Sequence, residues 1–305
     1  MIGKVLKIRE AGFPLVRWLR RNSFTIISLV PIIVFFSIYV YLPALYSVYL
    51  SLFKTKLIIP VNFIGFQNYL NLLKDPYFWA ALRNTFFYTL GSVIGNLVFG
   101  LGLALLLDTK IPGKIFFRSI FFMPYIIPYA AFVILWYWLL DPVYGLINYL
   151  LSFIGIKAIP WLTTSDWVIP AFILMNIWKR MGFTMVLFLA GLQTIPEELY
   201  DAAIVDGANW WGKFRYITLP LLRPMTFFVI TITIIFNLQL FIEPFVMTKG
   251  GPGNASISVV YLLYKTAFAS YNMGQASAIA LILFIIIGLF TPLLMKYFKI
   301  ENIYK

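Results

Sequence analysis

Six long apolar stretches limit what this 305-residue chain can fold into. A helix needs about 20 predominantly apolar residues to cross the hydrocarbon layer of a bilayer, and each stretch reaches that length. None alternates between polar and apolar residues like a membrane-barrel strand, and backbone exposed to lipid must satisfy its own hydrogen bonds. The sequence therefore predicts an all-α membrane protein with six transmembrane helices. The predicted helices cover residues 24–52, 85–107, 119–140, 167–192, 225–247 and 276–297.

The composition agrees with a membrane protein and excludes several kinds of chemistry. Only 11% of the residues are charged, whereas a soluble domain has about 25%. The chain has no Cys and no His, which excludes thiol nucleophiles, thiolate or imidazole metal sites and histidine acid–base catalysis. The net charge of +13 would suggest nucleic acid in a soluble protein, but Lys and Arg in cytoplasmic loops account for it here. We expect no metal, no catalytic residue and no nucleic-acid partner.

The distribution of Lys and Arg predicts the orientation in the membrane. With the N-terminus inside, the cytoplasmic segments hold 15 Lys and Arg and the external loops hold 7. This excess belongs on the cytoplasmic side, so both termini are predicted to be cytoplasmic. The first apolar stretch is too long for the core of a cleaved signal peptide. The predicted parts are a basic N-terminus (1–23), a first span (24–52), an external loop (53–84), a five-helix core domain (85–299) with a cytoplasmic loop (193–224), and a cytoplasmic tail (300–305).

The cytoplasmic loop 193–224 carries the densest cluster of acidic residues in the chain. Its first part is typical of a helix, with Pro196 in the first turn and acidic side chains near the positive end. The pattern breaks at Gly207 and restarts with the aromatic residues Trp210, Trp211 and Phe214. Two short helices that expose an apolar face to water need a partner, so the loop is predicted to be a docking surface.

The same loop resembles the EAA motif of ABC importer permeases. The matching pattern is Asp201-Ala202-Ala203, three residues, Gly207, nine residues and then Ile217-x-Leu219-Pro220. In that family the motif is a cytoplasmic helix–turn–helix that docks in a groove on the ATPase subunit, and it usually has Glu where this chain has Asp201. The resemblance implies a type I ABC importer permease fold with a coupling-helix hairpin. The coupling residues that it implies are Glu198, Asp201, Ala202, Ala203, Asp206, Gly207, Trp210 and Phe214.

Two further segments are similar to the sugar-permease branch of that family, of the maltose, lactose and glycerol-phosphate type. They are residues 63–69 with Asp75-Pro76, and residues 248–252. The resemblance implies one subunit of an ATP-driven, binding-protein-dependent sugar importer in a bacterial or archaeal cytoplasmic membrane. Its partners would be a dimeric ATPase, a second homologous permease and an extracytoplasmic solute-binding protein. The chain has no G-x-x-x-x-G-K-[ST] loop, so ATP and Mg would be used by the partner ATPase and this subunit would not be an enzyme.

Polar side chains inside the spans are candidates for a solute site, because they are costly in lipid and usually face a cavity. Tyr and Trp beside amide groups suit a sugar, whose CH face stacks on rings while its hydroxyls bond amides. From the residues alone, Lys179 and Arg180 could pair with Glu243, extend to the interface or bind solute. The resemblance to the maltose permease assigns the site to Tyr125, Tyr129, Arg180, Phe183, Thr233, Asn237 and Leu240.

Three of these residues depart from the maltose permease and bear on the solute. Tyr129, Arg180 and Leu240 stand where that protein has a small hydroxyl residue, a glycine and an amide. The departures argue against maltose itself. They are compatible with another sugar, or with an anionic sugar if Arg180 faces the cavity.

Three other functions were compared with the sequence. An ABC permease for a non-sugar solute is compatible with the hairpin alone. An ion-coupled secondary transporter would show an internal repeat with broken helices, and no clear similarity between the two halves is found. A membrane enzyme would need paired carboxylates near a pocket, and the spans hold almost none apart from Glu243.

Overall fold

The computed structural model describes residues 23–109 and 112–298. The predicted basic segment before residue 23 and the predicted tail 300–305 lie outside these residues. The helices are α1 (Ser23–Phe36), α2 (Leu42–Ser51), α3 (Gln67–Lys74), α4 (Pro76–Asp108), α5 (Lys114–Ile126), α6 (Tyr129–Leu139), α7 (Leu146–Ser152), α8 (Ser165–Leu192), α9 (Glu197–Val205), α10 (Trp210–Lys213), α11 (Leu219–Leu221), α12 (Arg223–Asn237), α13 (Val259–Tyr264) and α14 (Met273–Phe298). π-Helical turns occupy Ser37–Tyr41, Phe214–Thr218, Pro244–Thr248 and Lys265–Ala269.

The described residues form a helical membrane bundle, as predicted. Four of their helical segments are long and apolar enough to cross a bilayer, and the number rises to six if each of two bent pairs is one span. The four are Ile27–Ser51, Pro76–Asp108, Ser165–Leu192 and Met273–Phe298. The first span is exposed along α1, whereas α2 lies against α14.

The predicted external loop 53–84 is more ordered than a plain connector. Its first part is an antiparallel hairpin of β1 (Phe53–Lys56) and β2 (Ile59–Phe63), and α3 follows. The side-chain amide of Asn68 donates to the carbonyls of Ser51 and Phe53 at 2.7 and 3.0 Å, which fixes α3 against the end of the first span. α4 then begins at Pro76, well before the predicted span start at residue 85. Asp75 caps this helix by accepting the Tyr77 N–H at 2.9 Å.

Two predicted spans are interrupted rather than continuous. In the third, α5 and α6 are bent by 96°, and Pro128 precedes α6. Proline has no N–H to donate and disfavours a helical conformation in the residue before it, here Ile127. In the fifth span, α12 ends at Asn237, and the chain is irregular at residues 238–241 before the π-helical turn Pro244–Thr248. The hydrophobic pattern predicted where these spans lie but not their breaks.

α4 and α8 cross at close range because glycines on α4 face side chains on α8. A Cβ atom on Gly91, Gly95 or Gly100 would lie 2.6, 2.1 or 2.5 Å from the nearest side-chain atom of α8. Small residues let helix backbones approach closely in membranes, where packing drives association. On the other side of α8, a Cβ on Gly182 would lie 1.9 Å from the Phe121 carbonyl oxygen of α5. α8 is therefore packed closely on α4 and on α5.

Candidate functional site

The hairpin that the sequence places in the cytoplasm consists of α9, a tight turn and α10. The turn is a Schellman motif: the Ala208 N–H donates to the Ala203 carbonyl at 2.8 Å, and the Gly207 N–H donates to the Ile204 carbonyl at 3.0 Å. Gly207 has a φ of +76°, which glycine adopts without the steric cost of a Cβ atom. Asn209 then caps α10 by accepting the Gly212 N–H at 2.8 Å. The helix–break–helix pattern read from the sequence is present.

The hairpin exposes a mixed acidic and aromatic surface. Trp210 is 65% exposed, and its ring stacks on that of Phe214 with centroids 5.4 Å apart. Val205 is 88% exposed at the end of α9. An apolar surface of this kind, bordered by charged residues, is typical of a protein–protein contact. Of the predicted coupling residues, those exposed are Glu198, Asp201, Ala202, Asp206, Gly207 and Trp210, and those half-buried are Ala203 and Phe214.

Side-chain hydrogen bonds connect the hairpin to the segment that leads into the fifth span. The Tyr200 hydroxyl on α9 lies 2.9 Å from the Thr218 hydroxyl, which is buried at the end of the π-helical turn. That turn leads through α11 into α12. α9 is therefore connected to the segment before α12 by a side-chain contact as well as through the chain.

Inside the bundle, a buried polar network joins three spans. Asn176 on α8 is its centre: its amide nitrogen donates to the Tyr88 hydroxyl at 2.8 Å and to the Asn237 carbonyl oxygen at 3.0 Å. Its own carbonyl oxygen accepts from Asn96 at 2.9 Å. Buried polar groups cost free energy unless they are paired, so these bonds fix the relative positions of α4, α8 and α12.

The network continues to a buried carboxylate. Glu243 precedes the π-helical turn of the fifth span, and its Oε1 accepts hydroxyl protons from Tyr129 at 2.6 Å and from Tyr88 at 3.3 Å. Tyr129 is the first residue of α6, so the carboxylate bridges the bend in the third span and the irregular part of the fifth. The two span interruptions therefore meet at one side chain.

Two cavities lie in this part of the bundle, and Glu243 lines the smaller of them. One has a volume of about 200 Å³ and the other about 320 Å³, and both are lined by Tyr129, Arg180 and Phe236. The guanidinium carbon of Arg180 lies 4.7 Å from the centroid of the Phe236 ring, a cation–π contact. The smaller cavity is also lined by Tyr88, Asn176, Asn237, Gln239, Leu240, Phe241, Ile242 and Glu243. The larger one is also lined by Tyr125, Ile127 and Lys179.

Lys179 is buried, yet its ammonium group has a local role. It donates to the Pro124 and Tyr125 carbonyls at 2.8 and 3.2 Å and also to the Ile127 carbonyl. These carbonyls belong to the last turn of α5 and the bend after it, where no helical N–H follows to pair with them. A positive charge at a helix C-terminus is also favoured by the helix dipole. The sequence analysis did not predict this role for Lys179: the structure shows its ammonium group bonded to the bend, and pairing with Glu243 is not what it shows.

The structure brings most of the predicted solute residues together. Tyr129, Arg180, Asn237 and Leu240 line the smaller cavity, and Tyr125 lines the adjoining one. The Phe183 ring stacks on that of Tyr125, with centroids 4.6 Å apart and an angle of 12° between the planes. Thr233 is buried in α12 and lines neither cavity.

Sequence reasoning did not select Tyr88, Asn96 or Phe236. Tyr88 and Asn96 lie within the second predicted span, where a polar side chain is costly and indicates a buried partner. That signal was available for both residues, but their partner Asn176 is 80 positions from Asn96 in the chain. Phe236 offered no signal, because an aromatic residue in a span is ordinary.

The comparison of this sequence with known families identifies the chain. A sequence profile described as "Binding-protein-dependent transport system inner membrane component" matches residues 96–299, which is more than half of the chain. The chain belongs to this family of inner membrane transport components. The hairpin and every residue that lines the cavities except Tyr88 lie within the matched region.

Relatives in the same family cover most of the chain. The "Trehalose/maltose transport system permease protein MalF" of Thermococcus litoralis is 33% identical over 274 residues, 88% of this chain and 92% of the relative. The "Sulfoquinovosyl glycerol transport system permease protein SmoG" of Agrobacterium fabrum is 35% identical over 272 residues, 88% of each chain. The "Multiple sugar-binding transport system permease protein MsmF" of Streptococcus mutans is 35% identical over 280 residues, 91% of this chain and 94% of the relative.

A solved structure shows the same fold. It is the crystal structure of a bacterial ABC transporter involved in the import of the acidic polysaccharide alginate. The match has a TM-score of 0.80 and 24% sequence identity, and it covers 93% of this chain and 98% of the other. The predicted ABC importer permease fold is thereby confirmed.

Proposed function

We propose that this chain is the permease subunit of an ATP-driven importer of an oligosaccharide or related carbohydrate. The observation that carries the proposal is that one span joins the hairpin to the cavity. α12 follows the hairpin closely in the chain and ends at Asn237 on the cavity wall. Movement of a docked ATPase would be transmitted along α12 to the solute, and the cavity would change the side it faces. The names of the three relatives, which all mention sugars or a sugar derivative, support the solute class.

The energy for this movement would come from partner chains. The sequence has no phosphate-binding loop of the G-x-x-x-x-G-K-[ST] type, so ATP and Mg would bind to a dimeric ATPase rather than to this subunit. The exposed Trp210 and the acidic residues of α9 would contact that ATPase in the cytoplasm, with both termini on the same side. A second, homologous permease would complete the pathway. An extracytoplasmic binding protein would deliver the solute.

Reconstituted transport tests the proposal as a whole. We expect uptake of a saccharide into proteoliposomes that contain this chain, its co-encoded permease and ATPase, and the binding protein. Uptake should require both ATP and the ATPase subunit. Uptake driven by an ion gradient alone would contradict the proposed mechanism. Tight binding of an amino acid by the co-encoded binding protein, without a thermal shift for any sugar, would contradict the solute class.

The turn of the hairpin gives a specific prediction for coupling. In Gly207→Pro the new ring fixes φ near −65° and removes the N–H that bonds the Ile204 carbonyl, so the native φ of +76° is lost. A conformational cost of about 1.4 kcal/mol corresponds to a tenfold change in an equilibrium, so we expect solute-stimulated ATPase activity to fall by about tenfold or more. Steady-state ATPase measurements on the purified transporter check this result.

Gly155 provides a matched control for the Gly207 variant. It has a φ of +75°, and its N–H donates to the Ser152 carbonyl at 3.0 Å, so proline causes the same local damage on the predicted external side. Gly155→Pro should leave solute-stimulated ATPase activity close to that of the unmodified transporter. Equal losses in the two variants would show that the hairpin has no special part in coupling.

Charge reversal on α9 tests the acidic side of the docking surface. Asp201 is exposed, so Asp201→Lys should leave the fold intact and should place a positive charge where the family pattern has an acid. We expect the affinity for the ATPase to fall by about tenfold. An unfavourable charge at an exposed part of an interface costs a few kcal/mol at most. Co-purification of the ATPase at increasing salt measures the effect. Unchanged co-purification would remove Asp201 from the docking surface.

A further inference from the structure

We infer that the solute is an acidic saccharide, whose acid group binds the Arg180 guanidinium and whose hydroxyls bind Glu243 and the amides around it. This inference rests on the proposed import of a carbohydrate and names its chemical class. The residues that carry it are Arg180, Glu243 and Asn237, which line the same cavity.

Arg180 is a cation without a protein acceptor at its inner nitrogen. Among residues 23–109 and 112–298, its Nε is buried and has no hydrogen-bond partner. An arginine inside a membrane span is costly unless it is paired or faces a cavity, and a planar guanidinium matches a carboxylate or sulfate in a bidentate way. The side chain lines both cavities and lies over the face of Phe236. The Arg180 side chain therefore borders both cavities and has an N–H that no described residue accepts, as an anionic ligand could.

The neighbouring charged groups are already bonded within the protein. Lys179 donates to three backbone carbonyls at the bend of the third span. Glu243 accepts two tyrosine hydroxyl protons on one oxygen. Of the two cations that line the larger cavity, Arg180 is thus the one with a nitrogen that no described residue pairs.

The rest of the cavity suits the hydroxyls and ring of a sugar. A carboxylate has about four acceptor positions, so Glu243 keeps capacity for sugar hydroxyls after binding Tyr88 and Tyr129. The amide nitrogen of Asn237 is buried without a partner among the described residues, and it can donate to a hydroxyl. The rings of Phe236 and Tyr129 offer apolar faces for the CH side of a sugar. A neutral sugar would use these groups but leave the guanidinium unpaired.

The test compares an acidic and a neutral saccharide of equal size in the same transporter. We would measure proteoliposome uptake of a glucuronic-acid disaccharide and of its glucose counterpart, each at saturating binding protein. The unmodified transporter should prefer the acid. In Arg180→Gln the ratio of acidic to neutral uptake should fall by about tenfold to a hundredfold, the usual range for losing a charged hydrogen bond. The ratio within each variant cancels differences in protein yield, and comparing the ratios of two variants cancels the selectivity of the binding protein.

Two further variants complete the test. Arg180→Lys keeps the charge and should restore part of the ratio. Arg83→Gln removes a positive charge from α4 at a position that lines neither solute cavity, and it should leave the ratio unchanged. Equal or better uptake of the neutral sugar by the unmodified transporter, or an equal loss of both solutes in Arg180→Gln, would overturn the inference while leaving sugar import standing. Failure to transport any saccharide would overturn both proposals.

Discussion

Replacing Gly182 with valine is expected to prevent α5 from packing on α8 and thereby to abolish a stable transporter. A Cβ at this position would lie 1.9 Å from the Phe121 carbonyl oxygen, 2.5 Å from its carbon and 2.9 Å from the Phe122 Cα. These are backbone atoms, so no rotation of a side chain relieves the overlap and the whole of α5 must shift. Overpacking a tight core costs about 1–3 kcal/mol even when side chains can adjust, and the backbone contact here should cost more.

Gly102 is the control for this substitution. It lies in the same membrane region on α4, and no atom is within 4 Å of its Cβ position. Gly102→Val carries the same change in helix propensity without the overlap, so it should assemble normally. The measurement is the yield of monodisperse transporter after detergent extraction. If Gly182→Val and Gly102→Val gave the same yield and melting temperature, the close crossing of α5 and α8 would not support the fold.

Lys179→Met is expected to destabilise the bend in the third span by about 3 kcal/mol, because it leaves buried carbonyl groups without a donor. The native ammonium donates to the carbonyls of Pro124, Tyr125 and Ile127, and methionine fills a similar volume without any of these bonds. Tyr129 follows directly after the bend and bonds Glu243, so a disordered bend should also disturb the cavity. We therefore expect a large loss of uptake together with a lower melting temperature.

The exposed Lys157 separates this effect from the loss of a charge in general. Lys157→Met changes the same residue type in a predicted external loop and should leave the melting temperature unchanged. The readout is the thermal unfolding of the assembled transporter, followed by light scattering or tryptophan fluorescence. A melting temperature for Lys179→Met equal to that of Lys157→Met would mean that the carbonyls at the bend find water or other donors.

The spans and the hairpin show how much of the structure can be predicted from the sequence. The apolar stretches predicted the bundle, because the bilayer requires about 20 apolar residues per span wherever the span lies in the fold. The hairpin was predictable for a similar reason: its turn depends on Gly207 and on hydrogen bonds between residues at most five positions apart. Local rules of this kind can be read from a single sequence.

The site depends on contacts that local rules do not give. Pro128 indicates an interruption, but the 96° bend after Ile127 is held by Lys179, which is 52 positions away. The bond between Tyr129 and Glu243 joins residues 114 positions apart. The polar residues of the spans could be named as candidates, and the resemblance to the maltose permease selected several that line the cavities. Which of them bond one another could come only from the packing of α4, α8 and α12.

The length of α4 relates the cavity to the thickness of the membrane. Its 33 residues, at about 1.5 Å each, extend for about 50 Å, whereas the hydrocarbon layer is about 30 Å thick. The excess must protrude or be taken up by tilt, and the tilt of a helix changes with the thickness of the membrane. α4 packs closely on α8 at Gly91, Gly95 and Gly100. We therefore expect the two helices to tilt together. Tyr88 lies on α4 and Arg180 on α8, so a change in the shared tilt of these helices would move two sides of the smaller cavity together.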